Sequence, residues 1–178
     1  MNNPQESKDH SKYDDYRTIE QTMEKLAGGA RRLADQLTTS ASFESLWNVL
    51  TDYDRLNLYI PNLLSSKKIY QKNNNVHLKQ IGAQDFFGMK FSAEVTIDLF
   101  EDKELGILKF TLIKGDFRKF EGSWKIQKIK NTLKNSLIYD LTVQGCHWMP
   151  IGMIEKRLKK DLSENLIAVD RQAKIPLK

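Results

Sequence analysis

The spacing of hydrophobic residues changes at Pro61. Upstream, Phe43, Leu46, Trp47 and Leu50 recur at i, i+3, i+4 and i+7 and predict a helix over Ser42–Leu50 with one apolar stripe. A second short helical piece is expected over Tyr53–Tyr59. Pro61 closes it, because proline disfavours helical geometry in the residue before it. Downstream the period is two. Phe91, Ala93, Val95, Ile97 and Leu99 alternate with Ser92, Glu94, Thr96 and Asp98, the pattern of a strand with one buried and one wet face. Leu108, Phe110 and Leu112 form a weaker version. Phe120, Gly122, Trp124 and Ile126 form another, as do Leu137, Tyr139, Leu141 and Val143. Turn residues at Asn73–Asn75, Asp102–Gly106, Gly115–Asp116 and Asn131–Asn135 separate the runs, so an antiparallel meander is expected.

The two ends complete the outline. Arg31–Thr39 reads as a first strand. Thr18–Leu26 is ambiguous, since Ile19, Met23 and Leu26 follow a helical spacing that Gly28-Gly29 would stop. Residues 1–17 lack large aliphatic side chains and read as a flexible tail, with residues 173–178 as a short second tail. A long helix is expected over Pro150–Gln172. Ile151, Ile154, Leu158, Leu162, Asn165 and Val169 share one face of it, and Lys156, Lys159, Lys160 and Ser163 point the other way. At ~1.5 Å per residue this helix is about as long as a strand of roughly ten residues. It can therefore lie across a curved sheet and cover its apolar face. The expected fold class is α+β, with one domain over residues 18–172.

Composition narrows the class. The chain has 178 residues, 40% hydrophobic and 29% charged, as in an ordinary globular domain. No run approaches the roughly 18 apolar residues of a membrane-spanning helix. The polar, acidic N-terminus is unlike a signal peptide. A lone cysteine, Cys146, points to a reducing compartment and hence the cytoplasm. The net charge of +5 is concentrated in residues 103–134, which hold nine Lys and Arg against three Asp and Glu. A basic domain raises nucleic-acid and anionic-surface partners. Strand alternation and helix phasing place Lys125, Lys128, Lys156, Lys159 and Lys160 on solvated faces, which demotes nucleic acid and leaves weak attraction to an anionic membrane surface.

No phosphate loop, zinc-protease motif or nucleophile elbow is present. His10, His77 and His147 are scattered, so neither a metal nor a cofactor is called for. Cys146 and His147 are adjacent, and adjacent strand residues point to opposite faces. Asp52 and Asp54 read as turn caps, with Tyr53 packed inward. No catalytic residue is assigned.

Three blocks carry a resemblance. Leu46-Trp47-Asn48-Val49-Leu50-Thr51-Asp52-Tyr53-Asp54-Arg55-Leu56, followed by Tyr59-Ile60-Pro61-Asn62-Leu63, is similar to the polyketide cyclase/dehydrase and lipid-transport branch of the START-like (SRPBCC) superfamily. Gly115-Asp116-Phe117 with Phe120-Glu121-Gly122-Ser123-Trp124 resembles a second block. Trp148-Met149-Pro150-Ile151 with Glu155, Leu158, Leu162, Asn165 and Leu166 resembles a third. The likeness is nearest to cyanobacterial and plastid-type members and more distant to coenzyme-Q-binding START proteins. It implies a helix-grip fold, a curved antiparallel sheet wrapped around the C-terminal helix, with an apolar cavity between them. Members of the superfamily bind lipids, quinones, sterols or polyketides there, a few catalyse cyclisation, and one branch acts at the ribosome.

On that resemblance the expected cavity residues are Phe91, Val95, Phe110, Leu112, Trp124, Tyr139 and Leu141 from the sheet, with Met153, Ile154 and Leu158 from the helix. Trp and Tyr combine apolar area with one hydrogen-bonding handle, which suits a quinone or isoprenoid with a small polar head. Tyr59, with Ile60, either gates the mouth or packs. Phe87, in Phe86-Phe87-Gly88-Met89, either touches a membrane or folds over the mouth. Asn165 interrupts the apolar face, and a bond to the sheet backbone or a loop is favoured over a ligand contact. Three functions follow: a carrier of an apolar small molecule, a polyketide-type cyclase, or a basic module for RNA, ribosome or anionic membrane.

Overall fold

The computed structural model describes residues 19–86, 89–146 and 151–176, with the side chains of residues 84–91 and 151–154 outside that description. The expected tail over residues 1–17, the last two residues of the one expected over 173–178, and Phe87, His10, His147 and Trp148–Pro150 therefore lie outside the described residues, while Ala173 belongs to the last helix.

Eight strands are formed among the described residues: β1 (Ile19–Lys25), β2 (Arg31–Thr39), β3 (Leu63–Lys72), β4 (Asn75–Phe86), β5 (Met89–Asp102), β6 (Ile107–Gly115), β7 (Phe117–Lys128) and β8 (Asn135–Gly145). They make one antiparallel sheet in the order β1-β2-β8-β7-β6-β5-β4-β3. Helix α1 (Phe43–Thr51) and a 3-10 helix (Tyr53–Leu58) follow β2, and α2 (Ile151–Ala173) closes the chain. This is the helix-grip arrangement.

Local chemistry explains the boundaries. Ser42 caps α1, its hydroxyl accepting the Ser45 N–H at 3.1 Å. Leu46, Trp47 and Leu50 are the buried face of that helix. The ambiguous segment is a strand, β1. Ile19 and Met23 are an even number of residues apart, so they share a face in a strand as readily as in a helix. Gly28 and Gly29 adopt φ of 70° and 82° in the turn to β2, conformations that favour glycine. Asp52 does not cap the 3-10 helix with its side chain but pairs with Arg55 at 3.4 Å. Asp54 accepts the Lys68 N–H at 2.8 Å and ties that helix to β3.

Helix α2 packs chiefly on β2, α1 and β8. Leu162, Leu166 and Val169 meet Leu33, Leu37, Leu46 and Leu137 in the most deeply buried part of the core. Polar clamps fix the same side. Asp170 accepts a hydrogen bond from Thr39 and pairs with Lys174 at 2.9 Å, and Arg31 pairs with Glu155. Asp35 is wholly buried and accepts from Ser163 Oγ at 2.6 Å and Gln21 Nε2 at 3.0 Å. Ser163 thus faces the sheet, not solvent, because β1 curls round the flank of the helix.

Burial pushes the Asp35 carboxyl above its ordinary value, against the hydrogen bonds from Ser163 and Gln21 that lower it. Its second oxygen has no partner. A raised folded-state value means that ionisation is penalised in the fold. The Asp35 contribution is best below the unfolded carboxylate value, ~3.9, and is lost as pH rises through the folded-state value. Asp35→Asn removes that ionisation. The melting temperature of the variant minus that of the natural protein should therefore grow from about pH 4 to about pH 7, as read by circular dichroism. A difference independent of pH would refute this assignment.

Candidate functional site

Because α2 is clamped to the β1, β2 and β8 side, the sheet curves away from it along β4–β7. A cavity of about 380 Å³ remains. Its wall comes from β4 (Leu78, Gln80, Gly82, Ala83), β5 (Ser92, Ala93, Val95, Ile97, Leu99), β6 (Leu108, Phe110), β7 (Phe117, Phe120, Trp124) and β8 (Tyr139, Leu141). Arg157, Leu158, Asp161, Leu162, Asn165 and Val169 of α2 form the opposite side, and Leu50, Tyr53, Leu56 and the Ile60–Leu63 loop complete the lining.

Aromatic rings dominate one wall. Trp124 and Tyr139 stack with centroids 4.0 Å apart and planes 9° from parallel. Phe110 meets Phe120 at 5.6 Å, and Phe117 meets Phe120 at 5.5 Å. Gly122 makes room for this cluster. A Cβ there would stand 2.0 Å from the Asp140 carbonyl oxygen and 2.9 Å from the Phe110 ring.

Most polar groups in the lining are satisfied. Tyr53 donates to Glu101 Oε1 at 2.6 Å, and burial followed by that bond raises its pKa. Gln80 donates to Ser66 at 3.2 Å. Arg157 Nε and Asp161 Oδ1, one turn apart on α2, form an ion pair at 3.0 Å without the alignment of a hydrogen bond. Asn62, in a left-handed conformation with φ of 61°, reaches across from the loop and donates to Asp161 Oδ1 at 3.3 Å. Tyr139 is buried, and its pKa is raised by burial and then by the Asp161 charge. The Asn165 carbonyl oxygen is buried with no hydrogen-bond partner. The expected bond from Asn165 to the sheet backbone or a loop is not made among the described residues.

Of the residues named from sequence, Val95, Phe110, Trp124, Tyr139, Leu141, Leu158 and Asn165 line this one cavity. Leu112 does not. It pairs with Ile97 beside the β5–β6 bulge and packs, half-buried, at the core margin. Tyr59 does not line it either. Its hydroxyl donates to the Val49 carbonyl at 2.5 Å, which also accepts the Asp52 N–H at 3.4 Å at the end of α1. The side chains of Phe91, Met153 and Ile154, and all of Phe87, lie outside the described residues. Residues that sequence reasoning missed include Gln80, Gly82, Ala83, Asn62, Arg157 and Asp161. Helical phasing carried a signal for the last two. With Asn165 they form an i, i+4, i+8 column beside the apolar stripe.

The family model for polyketide cyclase/dehydrase and lipid transport matches residues 39–170, from the end of β2 through most of α2. The chain belongs to that family. Solved structures share its fold. The STAR-related lipid transfer protein from Xanthomonas axonopodis superposes with a TM-score of 0.77 at 10% identity, covering 89% of this chain and 95% of that one. Human StAR-related lipid transfer protein 5 gives 0.72 at 7% identity, covering 88% and 82%. The Zhui aromatase/cyclase from Streptomyces sp. R1128 gives 0.69 at 14% identity, covering 81% and 93%. No curated sequence matches the chain. The family's fold thus has both lipid-transfer proteins and aromatase/cyclases among its similar structures. No helix of the described residues is long and apolar enough to cross a membrane.

Proposed function

We propose that this protein binds and carries an apolar small molecule, a lipid, isoprenoid quinone or polyketide-like compound, in the cavity between sheet and α2. The observation that carries this reading is the cavity itself. Its volume of about 380 Å³ falls within the ~300–1,000 Å³ range of ligand pockets, and its wall is mainly aliphatic and aromatic. A hollow of that size in a domain core costs stability unless something fills it. Solvent extraction of gently purified protein, analysed by mass spectrometry, should yield an apolar compound near one per chain. Extracts indistinguishable from those of an unrelated protein purified alongside would count against the reading.

A cyclase is the second reading, favoured by one observation: Asn62, Arg157, Asp161, Asn165 and Tyr139 bring polar groups to the cavity. Turnover of an enolisable aromatic precursor, lost in Asp161→Asn, would support it. For the carrier, exposed Leu58 and Leu64 beside Lys67 and Lys68 suit weak attachment to an anionic bilayer during loading. The single cysteine, Cys146, supports placing the carrier in the cytoplasm.

A further inference from the structure

The polar groups of the cavity are not spread over its wall, and they are not equally occupied. Arg157, Asp161 and Asn165 rise along α2 at i, i+4 and i+8, so they project to one side of the helix. Arg157 and Asp161 neutralise each other, and Asn62 adds a donor to Asp161. The two polar groups bordering this pair are not so engaged. Asn165 lies one turn further along with its carbonyl oxygen buried and unpaired. Tyr139 comes from β8, lines the same cavity stacked on Trp124 at 4.0 Å, and has its pKa raised by burial and then by the Asp161 charge. A buried amide without a partner costs stability, roughly the desolvation of the group. A ligand that supplies the partner gains what the free protein lacks.

The chemistry of that partner follows from its neighbours. An anionic head would meet the Asp161 carboxylate and would compete with it for Arg157, whose charge is already balanced. A purely hydrocarbon ligand would leave the Asn165 amide unpaired. A hydroxyl satisfies both Asn165 and Tyr139, because it donates through its hydrogen and accepts through its oxygen. We propose that the Asn165 amide and the Tyr139 hydroxyl, beside the Arg157–Asp161 pair, form the head-group subsite of the cavity and select an uncharged hydroxyl-bearing ligand, an alcohol or a phenol, over its carboxylate or hydrocarbon counterpart. The apolar remainder of the ligand then lies along the Phe110, Phe120 and Trp124 wall. This inference rests on the reading of the cavity as a binding site.

Three probes of one ring system test it: naphthalene, 2-naphthol and 2-naphthoate, each competed against the neutral dye Nile red on the full chain. The expected order is 2-naphthol tightest, ahead of naphthalene by about three- to ten-fold, the worth of one or two net hydrogen bonds, with 2-naphthoate weakest. Asn165→Leu, close in size, should shrink the advantage of 2-naphthol over naphthalene towards unity. Tyr139→Phe should reduce it in part. Because the readout is a ratio within each variant, a general loss of folding or of cavity shape does not imitate it. Equal affinity for naphthalene and 2-naphthol, tighter binding of 2-naphthoate, or an unchanged ratio in Asn165→Leu would overturn the head-group assignment while leaving the cavity a binding site. Failure of Nile red and all three probes to bind would overturn the binding reading itself, and this inference with it.

Discussion

Gly122→Ala should destabilise the fold by about 2–3 kcal/mol, although the change adds a single methyl group. Gly122 lies on β7, across from Leu141 of β8 and Phe110 of β6. The Cβ of an alanine would stand 2.0 Å from the Asp140 carbonyl oxygen, a backbone atom held in the β7–β8 ladder. The second contact, 2.9 Å to the Phe110 ring, closes the other direction. Relief requires β8 to move or the aromatic wall to repack, and both disturb the cavity. In a chain of this length the cost corresponds to a fall in melting temperature of about 4–12 °C. Urea unfolding followed by circular dichroism measures it. A stability within about 0.5 kcal/mol of the natural protein would contradict this close approach of β7 to β8.

Ala93→Phe should have the opposite profile, with ligand binding weakened at least about tenfold and the fold as stable as before or more so. Ala93 sits directly opposite Gly82 in the β4–β5 ladder, and both line the cavity. Two small residues side by side leave a recess where an aromatic pair would otherwise fill the interior. A ring introduced at Ala93 occupies space that a ligand uses. It also removes empty volume, and cavity filling ordinarily stabilises. The amount of co-extracted apolar compound should drop in proportion to the lost affinity while the melting temperature holds or rises. A falling melting temperature would mean that the recess is already packed.

Much of this architecture was legible in the sequence, and the parts that were not had physical reasons. The alternation in β5, β7 and β8 was readable because each strand turns its large apolar residues to one face and mostly polar ones to the other, even where, as at Thr96, Ser136 and Thr142, the polar face is covered too. Strand β1 was not, since Ile19 and Met23 satisfy both periods. The β4 wall gave little signal because Gln80, Gly82 and Ala83 stand where large apolar residues would have marked an inward face. For the cavity, Val95, Phe110, Trp124, Tyr139 and Leu141 were identifiable as inward-facing. Periodicity reports which face is buried and not whether the space beyond it is filled. The hollow depends on tertiary placement: the clamps from Asp35, Thr39 and Arg31 to α2 draw the helix to one side. Asn165 was visible as a polar break in an apolar stripe. Its lack of a partner required knowing what stands opposite. Leu112 went astray because inward direction alone does not say how far along the interior a side chain sits, and of the two alternatives for Tyr59 the structure takes packing.

The central claim is that the space between the sheet and α2 is a ligand site. Equilibrium titration with Nile red, comparing the natural protein with Ala93→Phe, tests it most directly. One saturable, blue-shifted site per chain is expected in the natural protein, with binding at least about tenfold weaker in the variant. Equal binding by both proteins would place the dye on the surface and contradict the claim.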